Sequence, residues 1–194
     1  MQAVISVRSK ALIAIERLRR FEPEDGYWLA FSGGKDSQAI LHLVKESGCK
    51  YEAHYNLTTV DPPELVRFIR EQYPEVVVDR PEKSMWELIE KEKVPPTRLM
   101  RYCCRHLKER GGVGRVVVTG VRWQESTSRA KQRGLVELNM GGNVIVIGSD
   151  SSAVLDLYRS TPIETKHVIN PIIDWSTREV WQYLAQVGVP HCSL

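Results

Sequence analysis

Long hydrophobic runs are missing from this 194-residue chain. The longest are fragments such as VVVTGV and NVIVIG, far short of the roughly 20 apolar residues that cross a bilayer, so a soluble protein with no membrane partner is expected. Cysteine is sparse. Cys49, Cys103, Cys104 and Cys192 are the only four, too few and too irregularly spaced for a disulfide framework, which points to a reducing, cytoplasmic setting. Neither sign of charge dominates: 27 Lys and Arg against 24 Asp and Glu give a net charge of +3. That balance suits an anionic ligand but falls short of a nucleic-acid footprint, so direct binding to nucleic acid is only weakly supported. Internal repeats and low-complexity tracts are absent. Arg8, Lys10 and Glu16 interrupt the first residues where a signal peptide would need an unbroken apolar core.

What is present is the mix of an ordinary soluble domain, 42% hydrophobic and 26% charged, in a length that fills one core and is short for two. Val7, Ala11, Ile15 and Leu18 mark the apolar stripe of an opening helix within residues 1–24. GYWLAF then reads as a strand, SGGKDS as a tight turn, and SQAILHLVKES as a helix. YEAHYNL is a second strand; Asp61, Pro62 and Glu64 offer the N-cap and first turn of a helix from Pro63 to Gln72. EVVVDR is a third strand, and Ser84 with Glu87 forms a capping box for a helix through Glu90. RLMRYCCRHLKER reads as a helix ended by GGVG, and RVVVTGV as a strand. From Arg122 to Lys166 the pattern predicts a hairpin, LVELN and NVIVIG, with loop and one short helix around it. Ser176 and Glu179 form a second capping box, ahead of a helix facing the core with Val180, Trp181, Leu184 and Val187. Trp175 and Trp181 are read as core, whereas Trp123 stays open.

Strand and helix in alternation predict an α/β fold with a mostly parallel sheet flanked by helices, whose ligands collect at the carboxyl ends of the strands. SGGKDS, TTVD and GVRWQESTSR all fall there. In SGGKDS, Gly33 and Gly34 allow a tight turn and close approach of backbone to ligand, while the helix start supplies unpaired N–H groups. Two familiar phosphate loops are excluded: Lys35 is followed by Asp36 rather than a hydroxyl residue, and no third glycine completes G-x-G-x-x-G. The competing view is an ordinary strand-to-helix turn capped by Asp36.

SGGKDS resembles the pyrophosphate-binding loop (PP-loop) of the N-type ATP pyrophosphatases and, within them, of the phosphoadenosine phosphosulfate (PAPS) reductase family. TTVDPPE, RYCCRHLKE, TGVRWQESTSRA and NPIIDWSTREVWQYL are similar to that family's other blocks, in the same order, over Tyr27 to Leu194. The resemblance implies a single Rossmann-like domain of the adenine nucleotide alpha hydrolase-like type, here residues 25–194. It also implies an adenine nucleotide, either ATP or a sulfonucleotide, as substrate. Ser32, Gly33, Gly34, Lys35, Asp36 and Ser37 would hold its phosphates or sulfate, with Thr59 and Asp61 nearby. Lys35, Arg122 and Arg129 would stabilise the charge that moves in the reaction, with Glu125 and Ser126 orienting the arginines. Asp61 is equally a helix cap, a partner for a ribose hydroxyl, or a ligand for Mg²⁺ held by phosphates. The competing view for the arginines is a solvated basic loop.

Cys103 and Cys104, among Arg101, Arg105, His106 and Lys108, sit where cationic neighbours favour thiolate. Iron–sulfur members of the family use such a pair with a later C-x-x-C to hold a [4Fe-4S] cluster. This sequence has no C-x-x-C, so Cys103 and Cys104 would ligate metal only with further ligands beyond Leu194. An inert helical pair is equally open. Sulfonucleotide reductases also use a tail cysteine as nucleophile, a role Cys192 does not match by position. The ending at VPHCSL is expected to reflect truncation, or a minimal relative without the reductive half of the chemistry. A thiol reductant, a sulfur-transfer partner as in DNA phosphorothioation enzymes, and a homo-oligomer remain open, as does a non-catalytic nucleotide-binding module.

Overall fold

The computed structural model describes residues 6–108, 111–140, 143–190 and 192. Its sheet has seven strands in the order β3-β2-β1-β4-β7-β5-β6. These are β1 Tyr27–Ala30, β2 Tyr51–Asn56, β3 Val77–Asp79, β4 Arg115–Val118, β5 Val136–Met140, β6 Asn143–Ile147 and β7 Lys166–Ile169. β3, β2, β1, β4 and β7 pair in parallel, whereas β5 pairs antiparallel with both β7 and β6. Order therefore reverses at β1, which has β2 on one side and β4 on the other. A crevice opens at such a point, because the connections leave in opposite directions.

The helices are α1 Val7–Arg20, α2 Lys35–Ser47, α3 Pro63–Gln72, α4 Met85–Glu92, α5 Tyr102–Leu107, α6 Thr127–Gln132, α7 Ser152–Ser160 and α8 Thr177–Val187. α1, α2 and α8 pack against one another, and their apolar stripes join Tyr27 and Leu29 of β1 in the main core. Trp28 and Ala30 point the other way, as strand alternation requires. There the chain at Gly111 and Gly112 lies against the Trp28 indole so closely that an added Cβ at either would sit 3.1 Å from the ring. Leu88, Tyr102 and Leu107 form a small separate core where α4 meets α5. No helix among the described residues is long and apolar enough to cross a membrane.

Several elements depart from the pattern reading. α5 begins at Tyr102, not Arg98, because Thr97 and Met100 close a turn on each other first. Glu109 and Arg110 of that expected helix, and the Gly141–Gly142 turn of the expected hairpin, lie outside the described residues. Asp61 does not cap α3: the N-cap is Pro62, and the Asp61 carboxylate instead accepts from the Thr58 N–H at 2.6 Å. Asp36 is no cap either, since it lies inside α2, whose N-cap is Gly34. Trp181 is 46% exposed and Tyr183 takes the core position on α8 in its place, about one helical turn on from Val180 and next to Leu184. β7 and α6 are additions. His167 interrupts the apolar pattern of β7 yet is buried, its ring bonded to the Asn139 N–H and the Thr161 carbonyl. α6 is capped by Ser126, whose hydroxyl accepts from the Arg129 N–H, with no acid at N3 to complete a box.

Candidate functional site

β1 ends at Ala30, and the chain turns through Gly33 at φ +74° into α2. A Cβ at Gly33 would lie 2.7 Å from Leu65 Cδ1 and 3.1 Å from Ile69 Cδ1, so α3 packs directly on the turn. Both the left-handed backbone and the missing side chain are needed here. Ser37 Oγ donates to the Gly34 carbonyl at 2.8 Å and accepts from the Ser32 N–H at 3.1 Å, and Gln38 Nε2 holds the Gly33 carbonyl at 3.1 Å. The loop is thus fixed by its own residues. No side chain caps α2, nor α3, α5 or α7, whereas Ser6, Ser84, Ser126 and Ser176 cap α1, α4, α6 and α8; of the uncapped starts, that of α2 follows the glycine turn at the end of β1. The first-turn N–H groups of α2, with the positive end of its dipole, are left for an anion.

The loop after β4 touches this one. A Cβ at Gly120 would stand 2.9 Å from the Asp36 backbone, so the two loops meet through a glycine. Arg122 is only 1% exposed. Its Nε donates to Asp36 Oδ1 at 2.8 Å, and its Nη1 reaches the Trp175 carbonyl at 3.3 Å and Thr177 Oγ1 at 3.2 Å. Lys35 Nζ binds the other Asp36 oxygen at 3.0 Å. Asp36 therefore joins the cation at the loop surface to the buried one beneath it. Glu125 pairs with Arg129, which is half-exposed on α6, and lies 4.0 Å from Arg122 Nη2. Glu125 thus stands between the two arginines. Ser126 acts on Arg129 through the helix cap rather than through its guanidinium.

The loop after β2 forms the third side. Thr59 has φ +66°, and its Oγ1 accepts from the Met85 N–H at 2.8 Å, tying the start of α4 to this loop. Between this loop and Ser32 lies a recess of about 250 Å³ whose walls include Phe31, Ser32, Tyr55, Asp61, Leu65 and Lys108. A wider cleft of about 490 Å³ adjoins it along the second sheet face, sharing Ala30, Asn56 and Lys108 and continuing past Trp28, Arg133 and Asn139. The structure thus brings Ser32 to Ser37, Thr59, Asp61 and Arg122 to one sheet edge. That Tyr55 borders the recess is not legible in the sequence, because a strand tyrosine has the same pattern whether it faces core or recess. The glycine contact at residue 120 carried no signal either.

Cys103 and Cys104 stand apart, sulfurs 4.0 Å from each other, with Arg101 Nη2 3.5 Å from Cys104 Sγ. Burial pushes the Cys103 thiol above its ordinary range, and the adjacent Cys104 adds to the rise. For Cys103 this corrects the thiolate expected from its cationic neighbours: packing against Leu88, Tyr102 and Leu107 outweighs them. Among the described residues no three His, Cys, Asp or Glu side chains gather to hold a metal ion. Trp123 is half-buried, its indole N–H donated to the Arg133 carbonyl at 2.8 Å.

Residues 26–194 match the family model of the phosphoadenosine phosphosulfate reductase domain. Among solved structures, phosphoadenylyl-sulfate (PAPS) reductase from Candida auris, in a phosphate complex, aligns with a TM-score of 0.58 at 16% identity. The alignment covers 92% of this chain and 81% of that one. No curated protein sequence matches this chain.

Proposed function

Because this chain belongs to the phosphoadenosine phosphosulfate reductase family, we propose that it binds an adenine nucleotide and acts as a sulfonucleotide reductase-like enzyme. The carrying observation is the uncapped start of α2 at the sheet's reversal point, next to a recess large enough to take part of a nucleoside. The phosphates or sulfate rest on the N–H groups from Lys35 onward, with Ser32 and Ser37 beside them, and the nucleoside enters the recess lined by Asp61, next to the loop that carries Thr59. That the Candida auris reductase was solved with phosphate accords with an anion site in this fold.

In the reaction a thiolate attacks the sulfonyl sulfur, and the sulfur–oxygen bond to the phosphate breaks. The nucleotide leaves with the electron pair on its phosphate oxygen. A second thiol then attacks the thiosulfonate formed, releasing sulfite and leaving a disulfide. Both thiols are supplied by a thiol reductant. The protein's part is to hold the leaving phosphate in place and take up its growing charge. Lys35 shifts from Asp36 toward the ligand, and Arg129 adds charge from α6. Arg122 fixes the loop from beneath. A cytoplasmic, reducing location suits this chemistry. Residues 25–194 carry the site, and residues 1–24 add α1 to its core.

A second reading, cleavage of ATP between its α and β phosphates with adenylation of an acceptor, uses the same loop. Mg²⁺ would then accompany the phosphates, with Asp61 the nearest carboxylate of the recess. Calorimetry with ATP, adenylyl sulfate and its 3′-phosphorylated form, followed by assays for sulfite and pyrophosphate, separates the two. Absence of binding by all three, with Ser32→Ala/Lys35→Ala indistinguishable from the parent, refutes both. Binding without either product leaves a nucleotide-binding module.

A further inference from the structure

Arg133 brings to the wider cleft two nitrogens that no described residue takes up. Its side chain, 34% exposed, lines the 490 Å³ cleft, and its Nε donates to Glu137 Oε1 at 2.8 Å. Nη1 and Nη2 make no hydrogen bond among the described residues. Arg122 is the contrast, almost wholly buried and with Nε and Nη1 both spent on the protein. The backbone of Arg133 is held on both sides: its N–H donates to the Arg129 carbonyl at 2.9 Å, and its carbonyl accepts from the Trp123 indole at 2.8 Å. Glu137 is 5% exposed and takes a second bond, from the Asn170 amide at 2.8 Å, on the same oxygen. Asn170 is itself fully buried and also donates to the Gly134 carbonyl at 2.7 Å. Burying a carboxylate is costly, and an arginine that only faces water needs no such partner. Here the buried acid occupies the Nε side of the guanidinium and leaves the Nη pair, a fork that meets phosphate through two parallel bonds.

The surroundings favour an anion. Lys108 and Lys166 also line the cleft, and Glu137, already matched by Arg133, is the only acid among its described walls. The position is separate from the loop: β4 and β7 stand between β1 and β5, so Glu137 lies three strand spacings from the end of β1, about 14 Å. We propose that Arg133 is a second anion-binding residue of the nucleotide site, holding a phosphate other than the group at the start of α2, and that Glu137 positions it. The phosphate is either a 3′-phosphate on the same nucleotide or part of a separate molecule bound beside it. The inference rests on the nucleotide reading above and deepens it by adding a residue outside the loop.

The test is calorimetry of the parent, Arg133→Gln and Arg133→Gln/Glu137→Gln, with melting temperatures recorded alongside. The double variant removes both charges, so no buried carboxylate is left unpaired. The ligands are adenylyl sulfate, its 3′-phosphorylated form, and inorganic phosphate added to protein saturated with adenylyl sulfate. If the nucleotide carries the phosphate, the parent should prefer the 3′-phosphorylated form about tenfold, the worth of one charge-assisted hydrogen bond. Both variants should lose that preference while holding adenylyl sulfate as the parent does. If the phosphate is separate, the saturated parent should take up inorganic phosphate, and both variants should bind it about tenfold more weakly. Glu137→Gln alone should weaken the same step severalfold and spare adenylyl sulfate. Equal affinity of the parent for the two nucleotides, with no uptake of phosphate, overturns the inference and leaves the nucleotide reading intact. So does a preference that both variants retain, or an equal loss of both nucleotides in the double variant. Absence of ATP, adenylyl sulfate and 3′-phosphoadenylyl sulfate binding by the parent overturns both.

Discussion

Arg122 Nε lies 2.8 Å from Asp36 Oδ1, across 86 residues of sequence, and this bond fastens the loop after β4 to the loop after β1. The guanidinium is almost wholly buried, and its remaining bonds reach the start of α8. Losing it leaves Asp36 with Lys35 alone and frees three elements at once. Arg122→Met should lower unfolding free energy by about 3 kcal/mol, read by urea denaturation. Arg122→Lys should recover little, since one ammonium cannot replace a planar fork that meets three acceptors. A lysine variant as stable as the parent would show that charge alone suffices.

Gly120 and Gly33 should fail differently. At Gly33 a side chain meets both a left-handed φ of +74° and the packed Leu65 and Ile69, so Gly33→Ala should cost roughly 1–3 kcal/mol of stability and abolish nucleotide binding. Gly120→Ala leaves backbone conformation free but presses on Asp36. Its melting temperature should drop less than that of Gly33→Ala, while its nucleotide affinity falls severalfold. Thermal melts paired with calorimetry separate the two effects.

The sequence made the Gly33–Gly34 turn plain, because a glycine pair between an apolar run and a helical stripe has few other uses. The capping boxes at Ser84 and Ser176 were equally readable, each acid and hydroxyl being three residues apart. Long-range partners were not. The sequence presents Arg122 as a charge close to the ligand loop, and nothing near it in sequence reveals Asp36 as its partner. β7 was hidden because His167 is buried with its hydrogen bonds satisfied by distant groups, and α6 because Ser126 lacks the acid that makes a cap recognisable. Asp61 had the right spacing for a cap, but Thr58 N–H lies closer to hand.

Acid should loosen the contact between α1 and α8. Burial alone would raise the Glu179 carboxyl, but the Ser176 N–H and hydroxyl and the Lys10 ammonium hold it below its ordinary value of 4.5. A carboxyl depressed in the folded state contributes stability above its unfolded pKa and loses it as pH falls through the folded one. Stability measured from pH 7 downward should therefore hold until about pH 4.5 and decline below it. Glu179→Gln should be less stable at pH 7 and show a shallower decline. An identical slope in the variant would assign the acid sensitivity to other groups.

Cys103 should behave as an inert thiol. With its pKa raised by burial it stays protonated near neutrality, and alkylation by iodoacetamide at pH 7, followed by peptide mass mapping, should lag severalfold behind a free cysteine. Denaturant should remove the lag. Rapid modification in the folded protein would instead mark it as reactive.

The register that sets Leu29 against Val118 and the bond from Arg122 to Asp36 also bear on how the protein comes to be folded. α2 can form locally, but the loop at its head gains its second wall only when a long stretch of chain has been closed, a slow step dominated by distant pairings. An anion therefore finds its site only in the fully assembled sheet. Nucleotide should then act on the unfolding rate rather than the folding rate, protecting finished molecules without hastening the making of new ones.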